Sequence, residues 1–172
     1  MLDKVILFVN LNKENAKKLS KEIVLCLKQR NVKADVFTFE GRPELKAAYD
    51  LAFSLGGDGT VLYTARAMAP LAVPIIPVNL GTLGFIAAVR PEKWQETFDL
   101  WLENKAPVSK RLMLKASVIR NENEVFSLNC LNDIVVSAST HAKMIRLQVF
   151  LHKTDSACTN AGLSNISLGQ YR

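Results

Sequence analysis

The stretch Ser-Leu-Gly-Gly-Asp-Gly-Thr at 54–60 sets one carboxylate among three glycines, and the apolar run Val-Leu-Tyr-Thr-Ala-Arg follows at 61–66. Glycine has no Cβ, so the oxygens of an anion can approach the main chain closely at Gly56, Gly57 and Gly59. If a strand enters this loop and a helix leaves it, backbone N–H groups and the positive end of the helix converge on one place, which suits phosphate. Asp58 does not ligate phosphate by itself, because like charges repel. Its carboxylate suits the other reactant, by orienting or deprotonating an attacking hydroxyl or by holding Mg²⁺. Thr60 can add a hydroxyl contact. The competing reading is a plain Gly-Asp-Gly turn with a solvated acid. No Gly-Lys-Ser/Thr follows, so the loop is not a P-loop, and its spacing is not GxGxxG.

Other chemistry-bearing residues are scattered. His141 and His152 have no partner at metal or triad spacing and read as surface histidines. Cys26, Cys130 and Cys158 show no CxxC spacing, which suggests reduced thiols in a cytoplasm, with Cys26 and Cys130 as core residues. No set of residues reads as a metal site. Arg66 reaches a phosphate or simply sits at the surface, and Trp94 and Trp101, seven apart, read as packing residues.

The elements around the loop alternate between strand and helix. Val5–Asn10 is a short β-branched, apolar run that suits a strand covered on both faces. A helix is predicted over about 13–29, with Ala16, Leu19, Ile23 and Leu27 on one face and Asn12 as N-cap. Strands follow at 32–39 and 51–55, a helix at 61–69, and an apolar strand at 73–79 that Pro74 and Pro77 make irregular. A second glycine loop, Leu-Gly-Thr-Leu-Gly-Phe, occupies 80–85. Pro91 opens a helix over 91–104 that is amphipathic through Trp94, Phe98 and Leu102. After about residue 105 the pattern is strand after strand, in 110–121, 124–139 and 143–153. That change predicts two domains, an α/β domain over 1–105 and a partial β domain over 106–172.

Bulk properties set the class. The chain has 172 residues, 49% of them hydrophobic and 22% charged, with a formal net charge of +6. It is long enough for a real core and too apolar for disorder. The basic balance admits an anionic partner, but Lys and Arg never run longer than two, so charge argues for solubility and steering. The longest apolar stretch, 68–78, holds three prolines and falls short of the roughly 20 residues of a membrane helix. The N-terminal apolar run is too short for a signal peptide. A cytoplasmic protein with no membrane and no nucleic-acid partner is expected.

Gly-Gly-Asp-Gly-Thr at 56–60, Asn-Leu-Gly-Thr-Leu-Gly-Phe at 79–85 and Leu-Asn-Asp-Ile-Val-Val-Ser at 131–137 together resemble the NAD kinase family, in its order and at similar separations. The first loop alone is shared with diacylglycerol, sphingosine and 6-phosphofructokinase relatives; the other two motifs single out the family. The resemblance covers roughly residues 1–150. It implies a Rossmann-like α/β domain followed by a β-sandwich domain, here incomplete. It also implies a kinase that phosphorylates the 2′-hydroxyl of the adenosine ribose of NAD, giving NADP, with ATP or polyphosphate as donor and Mg²⁺ as companion ion. Asp58 would orient or deprotonate that hydroxyl, and Gly56, Gly57, Gly59 and Thr60 would line the phosphate path. Phe85 would pack beside the adenine, while Asn132 and Asp133 would fix the dinucleotide. Family members assemble through the β domain, so a homo-oligomer is implied where that domain is complete.

The resemblance stops near Phe150. The family's later Arg-x-Asp-Gly and Thr-Pro-Thr-Gly-Ser-Thr-Ala-Tyr segments have no counterpart in 151–172, a Ser/Asn/Thr-rich tail without a clear period. A truncated or frame-shifted reading of a longer gene is expected, with activity weakened by the missing half of the pocket. The alternatives are an inactive nucleotide-binding fragment and a lipid kinase that shares the loop.

Overall fold

The computed structural model describes residues 2–39, 45, 48–81, 84, 86–137, 145–151, 155–161 and 163–167; side chains are described up to residue 136. The chain divides into two compact units, 1–111 and 112–172.

In the first unit, β1 (Lys4–Val9), β2 (Lys33–Phe37), β3 (Leu51–Gly56) and β4 (Ile75–Asn79) form one parallel sheet in the order β2-β1-β3-β4. The interior strands β1 and β3 are apolar along almost their whole length because both of their faces are covered. On one face Val5, Leu7, Val9, Phe53 and Leu55 pack with Leu19, Ile23 and Leu27 of helix α1 (Ala16–Gln29) and with Trp94 and Phe98 of helix α3 (Trp94–Leu102). On the other, Ile6, Phe8 and Ala52 pack with Met68 of helix α2 (Asp58–Met68) and with Tyr49 and Val73. An α/β fold with helices on both faces follows from this two-sided burial.

Several local readings shift. Helix α1 starts at Ala16, not near residue 13, and Asn12 is not its N-cap. Asn10 Oδ1 accepts the Asn12 N–H at 3.1 Å, and this local bond holds 10–12 in a turn. Asn15, with φ of 62°, then precedes the helix. Helix α2 begins at Asp58 rather than at 61, because a glycine in the first turn costs little where N–H groups have no intrahelical partner. Strand β4 is regular despite Pro77 because it is the edge strand of the sheet. Its flanking and internal prolines still accept, with Ala52 N–H on Pro74 O at 2.9 Å and Val89 N–H on Pro77 O at 3.0 Å. In α3 the packed face is Trp94, Phe98 and Trp101, with the Trp101 ring stacked on Phe98, while Leu102 lies exposed.

The second unit is antiparallel: β5 (Leu114–Arg120) pairs with β6 (Asn123–Cys130), β7 (Asp133–Ser137) with β10 (Leu163–Ser167), and β8 (Ile145–Leu151) with β9 (Asp155–Ala161). Strands β9 and β10 lie in the tail that showed no period; ladder hydrogen bonds need no apolar alternation once apolar strands such as β7 and β8 supply a template. Val118, Ile119, Val125, Phe126 and Val135 are exposed in this unit.

Candidate functional site

The carboxyl ends of β1, β3 and β4 lie side by side, at the end of a parallel sheet where ligands of open α/β folds bind. The order β2-β1-β3-β4 places the reversal of winding between β1 and β3, and the glycine loop leaves β3 at that point. Backbone bonds tie the three strand ends together: Asn10 N–H donates to Leu55 O at 3.0 Å, and Leu80 N–H to Gly56 O at 2.8 Å.

The loop's glycines divide into two kinds. A Cβ on Gly56 would collide with Thr60 Oγ1 and lie 2.7 Å from Thr60 Cβ. The buried Thr60 side chain therefore fills the space over Gly56, and Thr64 Oγ1 donates to Thr60 O at 2.8 Å, one turn on. At Gly57 and Gly59, by contrast, a Cβ would meet nothing within 4 Å. Gly57 is extended, with φ of −104° and ψ of −168°, a conformation open to any residue. Neither packing nor backbone strain explains these two glycines, and what their bareness preserves is access to the main chain. They sit at the N-terminus of α2, whose 11 residues direct its positive end at the same place.

Asp58 occupies the first turn of α2, where a carboxylate suits the helix dipole. Its Oδ1 accepts the N–H groups of Ile86 at 3.1 Å and Ala87 at 3.0 Å. The acid of the first glycine loop thus holds the backbone just after the second. Gly84 makes room for this: a Cβ there would collide with Asp58 Oδ1 and lie 2.7 Å from Cγ. Asn79, also buried, ends β4, and its Oδ1 accepts the Gly81 N–H at 2.9 Å.

The structure brings Gly56, Gly57, Asp58, Gly59 and Thr60 to one end of the sheet. Phe85, His141 and His152 lie outside the described residues. Asn132 lies half-buried in the turn before β7, and exposed Asp133 opens that strand, both in the second unit. Arg66 sits exposed in the last turn of α2, where a cation suits the negative helix end. Sequence reasoning gave Asn79, the first residue of the second motif, no role of its own and passed over Lys13. The available signal was positional, since each follows or ends a parallel strand at its carboxyl edge. Among the described residues no cluster of three or more His, Cys, Asp or Glu is placed to hold a metal, and no helix is long and apolar enough to cross a membrane.

Fold and loop together define a parallel α/β unit with a glycine-rich loop at the carboxyl edge of its sheet, and comparison with known proteins gives its kin. Residues 37–106 match the family model of the ATP-NAD kinase N-terminal domain. An NAD kinase of Treponema denticola is 43% identical over 151 residues, which is 86% of this chain and 53% of that protein. An NAD kinase of Treponema pallidum is 34% identical over 149 residues, covering 85% of this chain and 49% of that one. Over the stretch these matches cover, the chain belongs to the NAD kinase family. It spans about half the length of the curated relatives it matches. Among solved structures, a yeast NADH kinase complexed with NADH superposes with a TM-score of 0.80 at 18% identity, over 96% of this chain and 57% of that one. At that identity the likeness speaks for the fold.

Proposed function

We propose that this chain binds a nucleotide phosphate chain on the Gly57–Gly59 main chain and takes part in phosphorylating NAD to NADP. The observation that carries the proposal is the pair of glycines whose missing side chains leave open space at the N-terminus of α2. Phosphoryl transfer needs little covalent chemistry from the protein and depends on positioning and electrostatics, which this end of the sheet supplies. ATP, or polyphosphate in its place, is the donor. Asp58 orients the ribose 2′-hydroxyl and takes up its proton. The bonds from Ile86 and Ala87 to Oδ1 hold its carboxylate plane fixed, so the hydroxyl meets an acid that has already lost its rotational freedom.

Magnesium is the expected companion ion. It is commonly bound through one or two carboxylates together with substrate phosphates, rather than in an all-protein cage. Asp58 beside an open phosphate cradle fits that pattern, and the ion would neutralise charge on the phosphates. Asn132 and Asp133 are proposed to bind the dinucleotide. We also propose that the protein is cytoplasmic, with small nucleotides rather than nucleic acid as partners, and that it forms a homo-oligomer where its β domain is complete.

Incubation of the chain with NAD, ATP and Mg²⁺ is expected to yield NADP. Asp58→Asn keeps an oxygen for the Ile86 and Ala87 N–H groups, so its melting temperature should stay within about 2 °C of the parent while turnover falls by at least ~100-fold. Full turnover in Asp58→Asn would refute the role given to Asp58. A second reading, nucleotide binding without turnover, needs only the open main chain at Gly57 and Gly59. It predicts saturable ATP binding with no NADP formed.

A further inference from the structure

The turn leaving β1 carries a lysine, Lys13, whose main chain is bonded in place and whose ammonium has no charged partner among the described residues. Asn10 O accepts the Lys13 N–H at 3.0 Å, and Asn10 N–H is itself bonded to Leu55 O, so the turn is tied to the end of β3. From there the half-buried Lys13 side chain reaches the second glycine loop. A Cβ on Gly81 would come 3.3 Å from Lys13 Nζ and 3.8 Å from its Cε, with Asn79 Oδ1 also at 3.8 Å. Gly81 has no left-handed φ to account for its being glycine, and a Cβ there would crowd the ammonium, which would have to give by a few tenths of an ångström. Among the described residues Lys13 Nζ makes no ion pair and no side-chain hydrogen bond. Lys4, at the opposite end of the same strand, behaves otherwise, with its Nζ 2.7 Å from Asp35 Oδ2.

A snorkelling lysine keeps its stem on apolar surface and its head in water. Lys13 instead brings its head to a glycine at the carboxyl edge of the sheet, in the region where the Gly57–Gly59 amides are also open. An anion bound there would offset the rotamer freedom the lysine loses on engaging it. We propose that Lys13 is a phosphate-binding residue of the nucleotide site, its ammonium holding a non-bridging oxygen of the phosphate chain seated on the Gly57–Gly59 main chain. This inference rests on the phosphate-binding reading of that loop. A compact ammonium on a flexible stem suits such an oxygen, since it can follow the phosphate without fixed bidentate geometry.

The test uses the full chain and two probes, inorganic tripolyphosphate and adenosine, titrated calorimetrically. Lys13→Met keeps most of the stem and removes the charge. It is expected to weaken tripolyphosphate binding about tenfold or more, leave adenosine binding and the melting temperature unchanged, and flatten the dependence on ionic strength. Lys13→Arg should recover most of the lost affinity, which a merely structural role would not predict. Gly57→Val separates the inference from its foundation. If Gly57→Val loses tripolyphosphate binding while Lys13→Met does not, Lys13 is not a phosphate residue and the loop reading stands. Equal weakening of both probes by Lys13→Met also overturns the inference. If the parent chain fails to bind tripolyphosphate, or Gly57→Val binds it as well as the parent, the loop reading fails and takes the inference with it.

Discussion

The two ends of the four-stranded sheet are built on opposite rules. At the amino end, polar groups answer one another. Lys4 pairs with Asp35 at 2.7 Å, the Tyr49 hydroxyl donates to Asp35 Oδ2 at 2.7 Å, and Asp50 Oδ2 accepts the N–H groups of Asp3 and Lys4 at 2.8 and 2.9 Å. The Lys4 ammonium also lies 4.9 Å from the centre of the Tyr49 ring. At the carboxyl end, two glycines face open space and a lysine points its charge at a third. One end closes its own electrostatics and serves stability. The other bonds Asp58 and Asn79 to nearby main-chain N–H groups but leaves the Gly57 and Gly59 main chain and the Lys13 ammonium open, as the proposed phosphate site requires, and the strand ends themselves say which end is which. The contrast can be broken or sharpened by substitutions on either side of it.

The largest effect is expected at Gly56, which belongs to the carboxyl end but is packed like the core. A Cβ there meets the buried Thr60 side chain, and Gly56 O is held by the Leu80 N–H, so neither partner can give way freely. Gly56→Ala should destabilise the α/β unit by about 2 kcal/mol through overpacking, read as a lower denaturant midpoint with unchanged slope. A neutral result would mean that the filled and empty glycines of the loop do not differ, and Gly57 and Gly59 would lose their control.

A smaller effect, with a pH signature, is expected at the amino end. Burial first, and then its bond to Asp35, pushes the Tyr49 hydroxyl up to about 12 from an ordinary 10.0. The folded protein therefore holds that proton more tightly than the unfolded chain. The stabilisation is complete below about pH 10 and is lost as pH rises toward 12. Asp35 shifts the other way. The bond from Lys4, then that from Tyr49, holds its carboxyl below 3.8, so its contribution is present above about pH 4 and is lost as pH falls through its lowered value. Tyr49→Phe should cost about 1 kcal/mol at neutral pH and remove most of the alkaline fall, leaving the acid fall largely to the Lys4–Asp35 pair. Thermal melts from about pH 2 to 12 measure both limbs; an alkaline limb of undiminished height in Tyr49→Phe would place its origin elsewhere.

The two ends were not equally legible in the sequence. Strands β1 and β3 declare themselves because burial on both faces leaves only apolar side chains to choose from. The Gly-Gly-Asp-Gly-Thr loop stands out by its three glycines around an acid, but a plain turn competes with the phosphate reading until the two later motifs are weighed. The amino-end network did not, since Tyr49, Asp35 and Lys4 lie 14 and 31 residues apart and meet only through strand register. Lys13 escaped notice for a similar reason: among many exposed lysines of one basic turn and helix, nothing local marks the one that reaches Gly81. The early start of α2 was hidden by its own glycines, which lower helix propensity at the place where an open main chain matters more. Asn12 failed as a cap because 10–12 form a turn closed by Asn10 Oδ1 and the helix starts only at Ala16, which spacing does not decide.

That trade at the start of α2 yields the smallest and most discriminating test. Gly59 lies inside the first turn of the helix, with no neighbour within 4 Å of where a methyl would stand and no left-handed backbone. On stability alone alanine is the better residue there, since it freezes less chain entropy and fits the helix. Gly59→Ala should therefore raise stability by about 0.5 kcal/mol, roughly 2–4 °C for a unit of this size. The same methyl would stand where a phosphate must approach, so affinity for tripolyphosphate should fall about tenfold. Opposite signs from one substitution are what a residue kept bare for a ligand requires. If stability and affinity instead rose together, or if the methyl left affinity untouched, the open space at the carboxyl end would be mere surface, and the two ends of the sheet would differ in packing but not in purpose.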